Sequence, residues 1–101
     1  MTEPLVVTGP EGSITLGPAV LTRLVVRAAE AVDGARVRRP RRSVEIDHSD
    51  ERASVSLEVV IRHGAIVPDV ARAVQERVAK AVSATAGLEV RQVDVSVEEV
   101  A

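Results

Sequence analysis

The chain of 101 residues has no cysteine and no aromatic side chain. Without cysteine it has no disulfide framework, no zinc–thiolate site and no thiol catalysis. Without Phe, Tyr or Trp it lacks the platform on which proteins stack nucleic-acid bases. Hydrophobic residues make up 46% of the chain and are mainly Val and Ala. Because these side chains are small, we expect a thin two-layer domain.

Long apolar runs are also missing. No stretch approaches the length that crosses a bilayer, and residues 1–8 lack the basic start and apolar run of a signal peptide. The length suits a single domain, and the formal net charge of −2 indicates no particular class of partner. We therefore expect a soluble protein that associates with membranes only through its surface or through a partner.

Two amphipathic helices are predicted from apolar residues at spacings of three and four. The clearer one covers residues 67–85, where valines form a stripe at helical period. Pro68 suits its first turn, and Gly87 is placed to end it in a left-handed conformation. The other helix is predicted from Pro18 to about residue 32, again with proline near its start.

Alternation of apolar and polar residues predicts four strands, over residues 13–16, 44–48, 53–62 and 88–97. Val60 is an exception, because it lies on the otherwise polar face of the third strand. The resulting order, βαββαβ, predicts an α+β two-layer sandwich with a mixed four-stranded sheet and two helices on one face. A ferredoxin-like split βαβ is the natural version of this arrangement. We expect residues 1–11 to form a flexible N-terminal tail and residues 12–98 to form the domain.

One segment has a high density of positive charge that the folding of a small domain does not require. Its arginines, with no acidic residue among them, are Arg36, Arg38, Arg39, Arg41 and Arg42. Pro40 interrupts the group, which argues against a regular helix and for an edge strand or an extended connection. Two interpretations stay open. The guanidinium groups could contact phosphates of lipid headgroups or of nucleic acid. Alternatively, the segment is a solvated loop that balances the acids of residues 45–51.

Neither histidine stands in a pattern that indicates catalysis or metal binding. Ser43, His48 and Asp50 lie close in sequence, but a catalytic triad needs spatial geometry and neighbours on a strand alternate faces. His63 stands beside Gly64 at a turn, where we expect a structural role. Two distant histidines without a spaced carboxylate or cysteine do not make a metal site, and no phosphate-binding loop is present. We predict no enzyme, no cofactor and no small-molecule substrate.

Motifs from about residue 12 to residue 97 resemble the alkaline shock proteins of the bacterial envelope stress response. The most specific is the run His-Gly-Ala-Ile-Val-Pro-Asp-Val-Ala at residues 63–71. The chain departs from the family pattern at His63, where an aromatic residue is usual, and at Ala35, where Val is usual. Further matching segments are residues 12–16, 32–34, 74–78, 85–90 and 93–97.

The resemblance implies a small, cytoplasmic, non-enzymatic protein of the stress response and of cell-envelope homeostasis. It also implies self-association, attachment to a membrane-anchoring protein and no catalytic residues. Gln75 and Glu76 lie within a matching motif and are candidate contacts with a protein partner. An open sheet face or an exposed strand edge is the expected surface for self-association. The alternative is a small RNA- or anionic-lipid-binding protein that uses residues 36–42.

Overall fold

The computed structural model describes residues 3–49 and 51–101. The body is elongated, with extents of 50 × 21 × 18 Å. Its elements in chain order are β1 (Leu5–Gly9), β2 (Gly12–Leu16), α1 (Pro18–Glu30), β3 (Ala35–Arg36), α2 (Pro40–Ser43), β4 (Val44–Ser49), β5 (Arg52–Ile61), α3 (Val67–Ala86) and β6 (Glu89–Val100).

Helix α3 forms where the apolar stripe predicted it. Pro68 lies in its first turn beside Asp69, whose negative charge suits the positive end of the helix dipole. Gly87 ends the helix with φ at 70°, and its N–H donates to the Ser83 carbonyl oxygen at 3.1 Å. Only glycine adopts this left-handed conformation without strain. The buried stripe consists of Val70, Val74, Val78, Val82 and Ala86.

Strand β5 is the centre of the main sheet. Antiparallel β4 pairs with its first half, while antiparallel β3 pairs with its last two residues. Parallel β6 pairs along the whole of β5, so β3 and β4 must share the opposite edge. The sheet is therefore mixed and four-stranded but only three strands wide. Both long helices pack on one of its faces, which confirms the α+β two-layer sandwich.

The core lies between that face and the helices. Alternate residues of β5 point into it and are at most 2% exposed: Ala53, Val55, Leu57, Val59 and Ile61. They meet α3 together with Leu21, Val25 and Ala29 of α1. Full burial of a Val or Leu side chain stabilises a fold by about 1.5–3 kcal/mol. Many such side chains together take the place of the aromatic residues that this chain lacks.

The predicted first strand lies outside the main sheet. Strand β2 pairs antiparallel with β1 in a hairpin, and Pro10-Glu11 forms the turn between Gly9 and Gly12. No strand therefore separates β5 from β6, and the ferredoxin-like split arrangement is wrong. The predicted tail, residues 1–11, contains β1, whose Leu5 is buried in the core. Met1 and Thr2 lie outside the described residues, and flexibility of the tail stays a prediction.

Helix α2 corrects the prediction made for Pro40. The proline is the first residue of this single helical turn, where its missing N–H needs no partner. Backbone N–H groups of Arg42 and Ser43 both donate to the Arg39 carbonyl oxygen, at 3.0 and 2.8 Å. Residues 35–36 nevertheless form the edge strand that was the other expectation for this segment.

Candidate functional site

The sheet face opposite the helices is open and carries mainly acidic side chains. Register places Glu45, Ser56 and Asp94 in one row across β4, β5 and β6. Neighbouring rows add the carboxylates of Asp47 and Glu58. Since paired strands lie about 4.8 Å apart, these carboxylates share one compact surface. Such a face suits contact with a protein more than with an anionic ligand.

Val60 is the apolar exception on this face, yet it is only 6% exposed. Register places it between Arg36 of β3 and Glu99 of β6. Arg38 reaches across from the β3 side and forms an ion pair with Glu99. The ion pair thus connects the segment after β3 with β6. Arg38 therefore has a structural role at the edge of the acidic face.

The predicted arginines have different neighbours, and their contact with an anionic partner stays a prediction. Arg38 pairs with Glu99, outside the acidic segment of residues 45–51. Arg41 and Arg42 instead line a groove together with Arg23 of α1. Residues of the first turn of α1 and Glu45 also line the groove. Nothing in the sequence indicated Arg23, because it lies well before the arginine segment.

A second ion pair joins the end of α1 to the end of β5. Both terminal nitrogens of Arg62 donate to the two carboxylate oxygens of Asp33, each at 3.1 Å. These hydrogen bonds, and then the positive charge of Arg62, lower the pKa of Asp33. The same hydrogen bonds, and then the negative charge of Asp33, raise the pKa of Arg62. Both side chains are exposed, so salt screens the pair.

We expect an NMR titration to find the pKa of the Asp33 carboxyl below its ordinary value. The pair then adds stability above the unfolded-state pKa, and this contribution is lost as the pH falls through the lower folded-state value. Arg62→Gln should return the pKa to its ordinary range, whereas the control Arg72→Gln on α3 should leave it lowered. An unchanged pKa in Arg62→Gln would show that the ion pair does not form in solution.

Gln75 and Glu76, the candidate partner contacts, lie in different surroundings. The Gln75 side-chain amide Nε2 donates to the Val93 carbonyl oxygen of β6 at 3.0 Å. Glu76 lines a shallow groove between α1 and α3, beside Arg77 and Lys80. The first residue therefore ties α3 to the sheet, and the second faces outward. Their contact with a partner stays a prediction.

Gln75→Ala is expected to lower the free energy of unfolding by about 1 kcal/mol, because one partly buried hydrogen bond is lost. Urea denaturation of the two proteins measures the difference. Glu76→Ala is the matched control on the same helix and should change stability by less than about 0.5 kcal/mol. Equal stability of Gln75→Ala and the natural chain would contradict the structural role.

The histidines and Ser43 form no common site. The His48 ring nitrogen Nε2 donates to the Glu3 carbonyl oxygen at 3.0 Å, and so attaches the start of the hairpin to β4. Ser43 is buried in α2. The backbone N–H of His63 donates to the Ala101 carbonyl oxygen at 2.6 Å. Asp50 lies outside the described residues. Within residues 3–49 and 51–101, no three potential His, Cys, Asp or Glu ligands cluster around a metal position.

Sequence reasoning missed the hairpin and its exposed apolar face. Val7 and Ile14 pair across the two strands and are 42% and 65% exposed. The available indication was the alternation of apolar residues on both sides of the Gly9–Gly12 turn.

Among residues 3–49 and 51–101, none of the helices combines the length and the apolar composition that a membrane span requires.

A model of the alkaline shock protein family, described by a cell envelope-related function, matches residues 7–101. Curated protein sequences give no match. Among solved structures, two variants of the MamM C-terminal domain share 19% and 21% identity with the chain, each at a TM-score of 0.55. They cover 81% and 80% of this chain and 98% and 95% of their own. At this identity the similarity concerns the fold alone.

Proposed function

Because the chain belongs to the alkaline shock protein family, whose function is related to the cell envelope, we propose that it is a non-enzymatic interaction module of cell-envelope homeostasis and stress response. In this proposal it works in the cytoplasm as a scaffold. It associates with further copies of itself and binds a membrane-anchored protein partner. It needs no cofactor and converts no small-molecule substrate.

One observation carries the proposal: the helices cover only one face of the sheet. The other face presents Ser56, Glu58 and the flanking carboxylates to solvent. Moreover, among the described residues no strand pairs with the outer edge of β6. Open faces and unpaired edges are places where proteins bind one another.

The test is fractionation of a tagged full-length copy in its own host cell, with and without nuclease and a high-salt wash. We expect the protein to stay with the membranes through both treatments, because a protein partner holds it there. Light scattering of the purified chain should give a mass well above the 10.7 kDa of one copy. Release from the membranes by salt or nuclease, or a mass of one copy at high concentration, would contradict the proposal.

The groove beside α2 favours a second candidate function, binding of RNA or of anionic lipid. Arg23, Arg41 and Arg42 line this one groove, and Glu45 is the one acidic residue in its lining. Contacts with phosphates weaken steeply as salt rises, whereas apolar strand pairing does not.

Replacement of those three arginines by serine tests this candidate against vesicles of anionic lipid and against RNA. The matched control removes three positive charges elsewhere, at Arg27, Arg72 and Arg77. The candidate requires that the first variant lose binding while the control keeps it. An equal loss of binding in both variants would leave only the net charge of the chain as the cause.

A further inference from the structure

Strand β6 has a residue pattern that is symmetric about Val95. Counted in either direction from this residue, valines follow at the second and the fifth position. Register shifts interrupt the pairing with β5 near both ends of the pattern, between Ala53 and Ser54 and between Val59 and Val60. The order of valines along the strand is therefore the same when it is followed from either end. When two copies of such a strand pair in the antiparallel direction, each valine lies opposite a valine.

The Val93 carbonyl oxygen accepts a hydrogen bond from the Gln75 side chain of α3. We assign this oxygen to the outer edge of β6, away from the partner strand β5. Backbone N–H and C=O groups alternate in direction along a strand. Val95 and Val97 consequently direct theirs to the same outer edge, where no strand of the described part of the chain meets them. Val97 is also 37% exposed and Val100 is 45% exposed.

We propose that β6 pairs in the antiparallel direction with β6 of a second copy, about a two-fold axis that passes through Val95. Val93 then opposes Val97 of the second copy, and Val90 opposes Val100. Such a contact uses the same surface of both copies and closes into a dimer. It joins the two sheets into one continuous sheet. This inference rests on the proposed self-association and assigns it to the strand edge rather than to the open face.

Charge selects this register over its neighbours. With the axis at Val95, Arg91 opposes Glu99 of the second copy, an attractive pair. Moving the axis to Ser96 would place Asp94 opposite Glu98, and moving it to Asp94 would place Glu89 opposite Glu99. Like charges directly opposite each other destabilise paired strands. Arg38 already contacts Glu99 within the chain, through one of its two carboxylate oxygens, so the other oxygen can accept from Arg91.

The edge also lacks three of the devices that prevent strand pairing. Proteins protect exposed edges with lysine, proline or very short strands. Strand β6 has 12 residues and contains neither lysine nor proline. The Gln75 amide occupies one lone pair of the Val93 carbonyl oxygen, and a carbonyl accepts two hydrogen bonds. Gln75 would therefore border the contact, in agreement with its place among the candidate partner residues.

Cysteine cross-linking tests the position of the axis, because the natural chain has no cysteine. Directly opposed residues of a hydrogen-bonded antiparallel pair have Cα atoms about 5.5 Å apart, within the range of a disulfide. We expect full-length Val95→Cys to form a covalent dimer under mild oxidation by diamide. The control Ser56→Cys places its thiol on the open face of β5. Cross-linking of Val95→Cys should be faster by at least about tenfold, because pairing raises the local thiol concentration.

Light scattering of the natural chain separates the two levels of the proposal. A dimeric mass with no cross-linking of Val95→Cys would overturn the strand-edge contact and leave self-association intact. Faster cross-linking of Ser56→Cys would assign association to the open face and overturn the inference as well. A mass of one copy, with neither variant cross-linked, would overturn both levels.

A second variant keeps the test independent of the thiol. Val97→Lys places a charge on the exposed edge, and we expect it to shift the mass to that of one copy. Val6→Lys on the hairpin is the matched control, since Val6 is 55% exposed and remote in sequence from β6. Circular dichroism checks that both variants fold. A dimeric Val97→Lys variant would count against the contact.

Discussion

Leu57→Ala is expected to lower the free energy of unfolding by about 2–5 kcal/mol. Leu57 is 2% exposed in the middle of β5, the central strand. Register places Val44 of β4 on one side of it and Val95 of β6 on the other. Valine has a stiff χ1 torsion, and the core has no aromatic side chain that could turn into the cavity. We therefore expect a loss in the upper half of this range.

Urea denaturation followed by circular dichroism measures this loss. Ser56→Ala is the matched control, because Ser56 is the neighbouring residue of β5 on the open face. It should change stability by less than about 0.5 kcal/mol. Domains of this size are stable by only about 5–15 kcal/mol, so the loss at Leu57 removes a large share. A loss below that of the control would mean that the core is not organised around β5.

Gly34→Val is expected to lower the free energy of unfolding by about 3 kcal/mol, from two additive causes. Gly34 has φ at 93°, a backbone conformation that side chains with a Cβ rarely adopt. A Cβ added there would lie 3.5 Å from the Ala65 Cβ and 3.7 Å from the Val70 Cγ2. A methyl group alone fits at these distances. The two further methyl groups of valine crowd the junction of α1, β3 and α3.

Gly64→Val separates the two causes. Gly64 has φ at 94°, nearly the same conformation, but no atom lies within 4 Å of an added Cβ. Its substitution should cost about 1–2 kcal/mol, from the backbone alone. Thermal or urea unfolding of both variants gives the difference, which measures the crowding at Gly34. Equal losses in the two variants would show that the chain relaxes around Gly34 and that crowding contributes nothing.

The elements that could be predicted are those whose cause is local. The valine stripe, Pro68 and Gly87 placed α3 to within a residue at its end, because helix period and caps depend on neighbours along the chain. Strands β4 and β5 followed from alternation, and the motif resemblance identified the family. The prediction that Pro40 excludes a helix was wrong, since the same residue that breaks a helix interior also begins a helical turn.

The candidate surfaces followed from the sequence only in part. The arginines of residues 36–42 are adjacent in the chain, yet Arg38 turns to Glu99 while Arg41 and Arg42 join Arg23. Gln75 was selected by its motif, and its hydrogen bond to Val93 could not be predicted. In each case the partner lies on another element, more than ten residues away.

The sequence by itself determined the two long helices, the alternation of the inner strands, the one-sided burial of the sheet and the family. These depend on periodicity and turn chemistry, which are determined by residues close together in the sequence. Only the tertiary structure decided that β2 joins β1 instead of the main sheet, that β5 and β6 pair directly, and that the outer edge of β6 is left without a strand partner among the described residues. Strand pairing unites segments that are distant along the chain, and several pairings bury the same apolar residues. The choice among them depends on the packing of the whole domain, which no local pattern contains.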